Sequence, residues 1–155
     1  MNLSTWRGYF MNTKSQMAVD LFNSGFNCSQ SVLAVFCEQY GMEREQALKV
    51  ACGLGGGMRS GEVCGAVSGA IIVIGLKYGQ FLAEDAESKK ICYEKTTEFI
   101  SQFRTRYQSI ICRDLLGCDI STEEGMELAR QKELFKTTCI QMIQNSVSLL
   151  EELEY

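Results

Sequence analysis

The segment GLGGGMRSGEVCGAVSGAIIVIGLKY, Gly53 to Tyr78, decides how this chain is read. Within it, Val63 to Leu76 is the longest uncharged apolar stretch, interrupted by Gly65, Ser68, Gly69 and Gly75. It falls short of the roughly 20 residues that span a bilayer, so no membrane insertion is expected and a buried helix is predicted over Glu62–Tyr78. Gly61, Gly65 and Gly69 recur every four residues, and along one side of a helix the missing side chains let another backbone or a cofactor come close.

Outward from this segment, apolar residues recur at spacings of three and four, and alternating strand-like runs are scarce. Upstream, the pattern predicts a helix from about Asn12 to Ser24 that buries Met17, Leu21 and Phe22, with Gly25 closing it. Asn27 caps a second helix, Cys28–Tyr40, which Gly41 ends, and a third runs over Glu43–Leu54 with Ala47, Val50 and Ala51 on its apolar face. Downstream, Glu84–Tyr107 carries the stripe Cys92, Thr96, Phe99, Phe103 and Tyr107. A short turn, Cys112–Leu116, stops at Gly117; Ser121 and Glu124 form a capping box; and Phe135, Cys139, Met142, Ile143, Val147 and Leu150 mark a C-terminal helix. The fold class is therefore all-α: one domain over 1–155, a bundle of about six helices with a glycine-rich loop before the fourth. Residues 1–11 form an N-terminal arm whose Trp6, Tyr9 and Phe10 are assigned to packing.

Composition bounds the chemistry. At 155 residues and 46% hydrophobic, the chain can bury a continuous core without covalent staples. A net charge of -4 gives no electrostatic reason to bind nucleic acid or anionic lipid. The sequence has no His and no Pro, which excludes a hydrolase using His as general base and leaves thiolates as the main source of transition-metal ligands. The opening MNLSTWRGYF lacks a signal-peptide core, so the eight cysteines are expected to sit reduced, in the cytoplasm.

Cys28, Cys64 and Cys112 fall where helices are predicted to begin, positions that favour thiolate because free amides stabilise negative charge. Arg59 and Arg113 are candidate sources of further positive charge. Cys37, Cys52 and Cys92 lie beside apolar neighbours within helices and read as small core hydrophobes. Cys139 sits on a core stripe and reads the same way by spacing, while Cys118, after Gly117, stays open. No pair is spaced Cys-x-x-Cys. The glycine run Gly53–Gly61 lacks both the Gly-Lys-Ser/Thr ending of a phosphate loop and the dinucleotide spacing, so it reads as a mobile loop beside Cys64.

Cys64-Gly-Ala-Val-Ser-Gly69, with Asn27-Cys28-Ser-Gln-Ser and the Gly-Gly-Gly-Met segment upstream and Cys112-Arg-Asp-Leu-Leu-Gly117 and Cys139 downstream, resembles the redox-active protein family named for its C_GCAxxG_C_C pattern. The resemblance covers about residues 15 to 153. It implies a redox role carried by Cys28, Cys64, Cys112 and Cys139, and so promotes Cys139 over its reading as a core residue. Three functions follow as expectations. One is thiol/disulfide chemistry or electron transfer with an unidentified redox partner. A second is an all-cysteine metal site, an iron-sulfur cluster or zinc held by those four residues with Cys118 as the alternative ligand. The third is a structural or interaction protein, such as a homodimer.

Overall fold

The computed structural model describes residues 13–155; the N-terminal arm, its aromatic residues and the predicted helix start at Asn12 lie outside them. Eight α-helices follow in order: α1 Lys14–Asn23, α2 Cys28–Ala34, α3 Arg44–Ala51, α4 Gly65–Tyr78, α5 Ala86–Tyr107, α6 Cys112–Leu116, α7 Glu123–Gln131 and α8 Thr138–Glu152. Among the described residues there is no strand, only an isolated antiparallel bridge between Val63 and Ile111. The all-α class is as expected.

Helix α4 is the centre of the bundle and packs against α2, α5 and α8. Its Ala66, Val67, Ala70, Val73 and Ile74 are fully buried, together with Leu33, Phe99, Phe103, Ile143, Leu149 and Leu150 from the surrounding helices. Its glycines explain how a helix this apolar finds so tight a fit. A β-carbon on Gly69 would lie 2.7 Å from the Ser29 carbonyl oxygen, and one on Gly65 would lie 2.4 Å from the Cys28 sulfur. Removing both side chains lets the start of α2 rest on the α4 backbone. Two of the three glycines in the four-residue spacing, Gly65 and Gly69, thus form a contact surface of the kind the sequence suggests, and α2 is what they contact.

Local readings shift at several ends. α4 begins at Gly65, not Glu62, because the preceding residues pair with another segment: the Cys112 amide donates to Glu62 O and the Cys64 amide to Ile110 O, at 2.6 and 2.7 Å. Gly61 consequently lies outside the helix, against Asp119. α2 ends at Ala34 and gives way to a 3-10 turn, Cys37–Tyr40, closed by Gly41 at φ 80°. The cap of α7 is Thr122, whose hydroxyl accepts from the Gly125 amide at 3.0 Å, while Ser121 donates to Asp119 instead. Met17 and Val50, expected in the core, are 40% and 55% exposed. Phe135 precedes α8, which starts only at Thr138.

Two alanine substitutions on α4 separate packing from helix propensity. Gly69→Ala should cost about 1–3 kcal/mol by overpacking against Ser29. Gly75→Ala, where a β-carbon meets nothing within 4 Å, should gain about 0.5–1 kcal/mol. Urea denaturation measures both, and effects of equal sign would refute the packing role assigned to Gly69.

Candidate functional site

The segment Asn27–Ser31 fixes Cys28 through polar contacts. Asn27 caps α2: its side-chain oxygen accepts from the Gln30 amide at 3.0 Å, and Gln30 Oε1 accepts from the Asn27 amide at 2.9 Å. The remaining donors reach the last carbonyls of α3. Gln30 Nε2 donates to Leu48 O at 2.9 Å, Asn27 Nδ2 to Cys52 O at 2.8 Å, and Ser29 Oγ lies 2.7 Å from Ala51 O. Ser29, Gln30 and Ser31 are buried because they satisfy backbone groups at the two helix ends. Cys28, the first residue of α2, is held between this network and Gly65.

A second clamp sets Cys64 beside Cys112. The antiparallel pairing around Val63 and Ile111 brings the residue before α4 alongside the residue that begins α6. Cys139 arrives from α8, in its first turn, where the late start at Thr138 puts it. These four cysteines, Cys28, Cys64, Cys112 and Cys139, line one cavity of about 120 Å³. Its other walls include Phe22, Leu116, Ile120, Met126, Phe135 and Met142. The cavity lies at a seam: Cys64 belongs to the main core with Cys28 packed against it, while Cys112 belongs to a smaller cluster with Leu116, Ile120 and Ala129, against which Cys118 and Cys139 pack.

A protein-family model described as "Putative redox-active protein (C_GCAxxG_C_C)" matches residues 26–153. The chain belongs to this C_GCAxxG_C_C family. No curated protein and no solved structure matches the chain. The family description assigns the protein a redox role in outline. In the C_GCAxxG_C_C chain the Cys-Gly-Ala-x-x-Gly element gains a physical meaning: Cys64 supplies a thiol, Gly65 clears space for the Cys28 sulfur, and Gly69 clears space for the backbone behind it.

The electrostatics of the C_GCAxxG_C_C site single out one sulfur. Cys28 and Cys64 line the cavity together, each is the largest influence on the other's thiol, and neither is in a disulfide. The Cys64 thiol, donating to Cys28, brings the Cys28 pKa down to about 7; burial opposes this, and the amides of Gly56, Ser29 and Cys28 itself reinforce it. Cys64, as donor to Cys28 and itself buried, is held well above the ordinary thiol range, with the Ala66 amide acting the other way. Burial, then the charge on Cys28, pushes Cys112 up to about 11 and Cys139 up to about 12. Cys28 is therefore the one of these four sulfurs that ionises around neutral pH, thiol and thiolate being about equally populated near pH 7, while Cys64, Cys112 and Cys139 stay neutral. Cys118 packs against the smaller cluster but does not line the cavity.

Several sequence expectations need correction. Arg113 is engaged outside the cavity, donating to Glu62 Oε1 at 2.7 Å and Gly61 O at 3.3 Å, whereas Arg59 lines it. Cys37 is buried and Cys92 half-buried, but Cys52 is exposed in a 3-10 turn and fills no core. Cys139 stands at a helix start; the Thr137-Thr138 pair before it was the available sign. The glycine loop is coiled through positive φ at Gly56, Gly57, Met58 and Arg59, and this turn carries the Gly56 amide to the Cys28 sulfur.

Alkylation by iodoacetamide across pH tests the single-charge picture. Cys28 should be the fastest thiol to react, with a midpoint near pH 7, reactivity rising with pH as the thiolate forms. Cys64→Ala removes the donor and should move that midpoint up by about 1–2 units, whereas Cys64→Ser keeps a donor and moves it less. A midpoint unaffected by Cys64→Ala would contradict the assigned cause.

Proposed function

We propose that this protein is a thiol–disulfide oxidoreductase in which Cys28 attacks a substrate disulfide and Cys64 resolves the product. The observation that carries the reading is the placing of Cys28 and Cys64 on one cavity wall, the Cys28 sulfur lying in the space that Gly65, next to Cys64, leaves open, with Cys64 the main influence lowering the Cys28 pKa to about 7. A thiol with a pKa near ambient pH combines thiolate population with nucleophilicity.

Electrons and protons balance in two exchanges. The Cys28 thiolate attacks one sulfur of R-S-S-R, forming Cys28-S-S-R and releasing one thiolate that takes a proton from water. Cys64 then loses its proton to solvent and its thiolate attacks the Cys28 sulfur, forming the Cys28–Cys64 disulfide and releasing the second R-S⁻. The substrate disulfide is reduced by two electrons and the protein dithiol is oxidised by two; a dithiol reductant restores the protein by the reverse exchange. The first exchange prepares the second. Once Cys28 is covalently bound, the hydrogen bond to its thiolate, the largest cause holding Cys64 protonated, is gone, so Cys64 ionises more easily when its attack is needed.

A second reading, the all-thiolate metal site, is favoured by the convergence of four cysteines on one cavity. Against it, no three Cys, Asp or Glu side chains among the described residues stand close enough together to hold a metal ion. Anaerobic purification with metal analysis separates the readings: stoichiometric iron or zinc favours the second.

For the first, reduced protein exposed to a small disulfide should lose two hydrogens, and peptide mapping should place the new bond between Cys28 and Cys64. Cys64→Ser should stop at a mixed disulfide on Cys28, and Cys28→Ser should suppress both products. An oxidation confined to Cys112, Cys118 and Cys139 would sink this assignment.

A further inference from the structure

The cavity that holds the four cysteines also describes what enters it. We propose that its substrates are small organic disulfides whose arms combine a compact apolar body with a carboxylate, and that Arg59 selects them; this deepens the thiol–disulfide reading and rests on it.

Size comes first. A cavity of about 120 Å³ is close to the roughly 150 Å³ site that takes one benzene molecule, so it accommodates an arm of about six heavy atoms rather than a folded protein or a long peptide. Polarity comes second. Apart from the cysteines, the walls are mostly Phe, Leu, Ile and Met, which favour a hydrocarbon body.

Charge comes third. Arg59 is the one cationic side chain among the residues that line the cavity, and it takes part in none of the ion pairs found among the described residues. Its placement is built by the backbone. Met58 and Arg59 both adopt left-handed φ of 57°, a conformation that costs a residue with a side chain roughly 1–2 kcal/mol. The reversal folds the guanidinium back over Gly56, where an added β-carbon would lie 2.8 Å from Arg59 Nη1. Gly56 is the residue whose amide supports the Cys28 sulfur. The positive group of this exposed residue therefore stands at the rim of the cavity, over the glycine whose amide supports the Cys28 sulfur, on a strained turn and without a carboxylate partner among the described residues. Its neighbour in sequence type, Arg113, already has one in Glu62. A guanidinium so placed matches a carboxylate on the incoming arm, which it can grip through two parallel donors.

The reaction is the same two-step thiol–disulfide exchange through Cys28 and Cys64, with R carrying the anion. The test uses the full chain with Cys64→Ser, so that the mixed disulfide on Cys28 accumulates and is counted by mass spectrometry. Three symmetrical disulfides of matched arm length are compared: 3,3′-dithiodipropionate, 2-hydroxyethyl disulfide and cystamine, each rate divided by that with free cysteine to remove intrinsic reactivity. The dicarboxylate should react about tenfold faster than the neutral disulfide, and cystamine slowest. Adding Arg59→Gln should collapse the carboxylate-to-neutral ratio towards one, while Arg113→Gln should leave that ratio in place. A ratio near one in the protein with Arg59 intact, or one that survives Arg59→Gln, would overturn the assignment of Arg59 and of the substrate class. If no disulfide modifies Cys28 faster than it modifies the thiols of the urea-unfolded chain, the thiol–disulfide reading fails too, which distinguishes the two.

Discussion

The Cys28 sulfur occupies space that a β-carbon on Gly65 would need, 2.4 Å away, and this intrusion of α2 into the surface of α4 is the constraint around which the molecule is arranged. It requires a side of α4 without side chains, which Gly65 and Gly69 provide. It also forces the first turn of α2 out of water, and the buried polar residues Ser29, Gln30 and Ser31 answer that demand by bonding to the end of α3 and to the Asn27 backbone. Because Cys64 directly precedes Gly65, the same contact brings the two thiols to one cavity wall. Helix packing and sulfur chemistry are one feature of the structure.

The second consequence is electrostatic. Four thiols around one small cavity cannot all ionise, since each charge raises the pKa of the others. Donors decide which one does. Cys28 has a thiol and three amides directed at it, while Cys112 and Cys139 are governed mainly by burial. The result is one nucleophile surrounded by neutral sulfurs, at the seam between the main core and the smaller cluster built on α6 and α7. A buried Cys28 thiolate in an apolar cavity also gives the positive charge of Arg59 a role, because a guanidinium at its edge offsets the repulsion that an anionic substrate would meet.

Much of this was legible in the sequence where the physics is local. Asn27 as a cap, Gly117 as a helix stop at φ 72°, the stripe of α5 and the helical class all follow from spacing and side-chain type. Cys28, Cys64 and Cys112 do stand at helix starts, which leave short-range signs, but the expected gain in thiolate character holds for Cys28 alone, since burial and neighbouring sulfurs push Cys64 and Cys112 up. What stayed hidden depended on residues far apart in the chain. The start of α4 shifted because Glu62 and Cys64 pair with Ile110 and Cys112, Cys139 moved to a helix start because the turn before α8 runs on to Thr137, and Arg59 was separated from Arg113 only by the salt bridge to Glu62. No periodicity encodes such pairings.

The most direct test of the central claim, that the cavity carries a single thiolate on Cys28, is a pH titration by NMR of protein labelled with ¹³C at the cysteine β-carbons. The account predicts one resonance, assigned to Cys28 by its loss in Cys28→Ser, moving with a midpoint near pH 7, while the Cys64, Cys112 and Cys139 resonances stay in the protonated range through pH 9. Absence of any cysteine titration below the ordinary thiol range, or a midpoint near 7 belonging to a different sulfur, would contradict it.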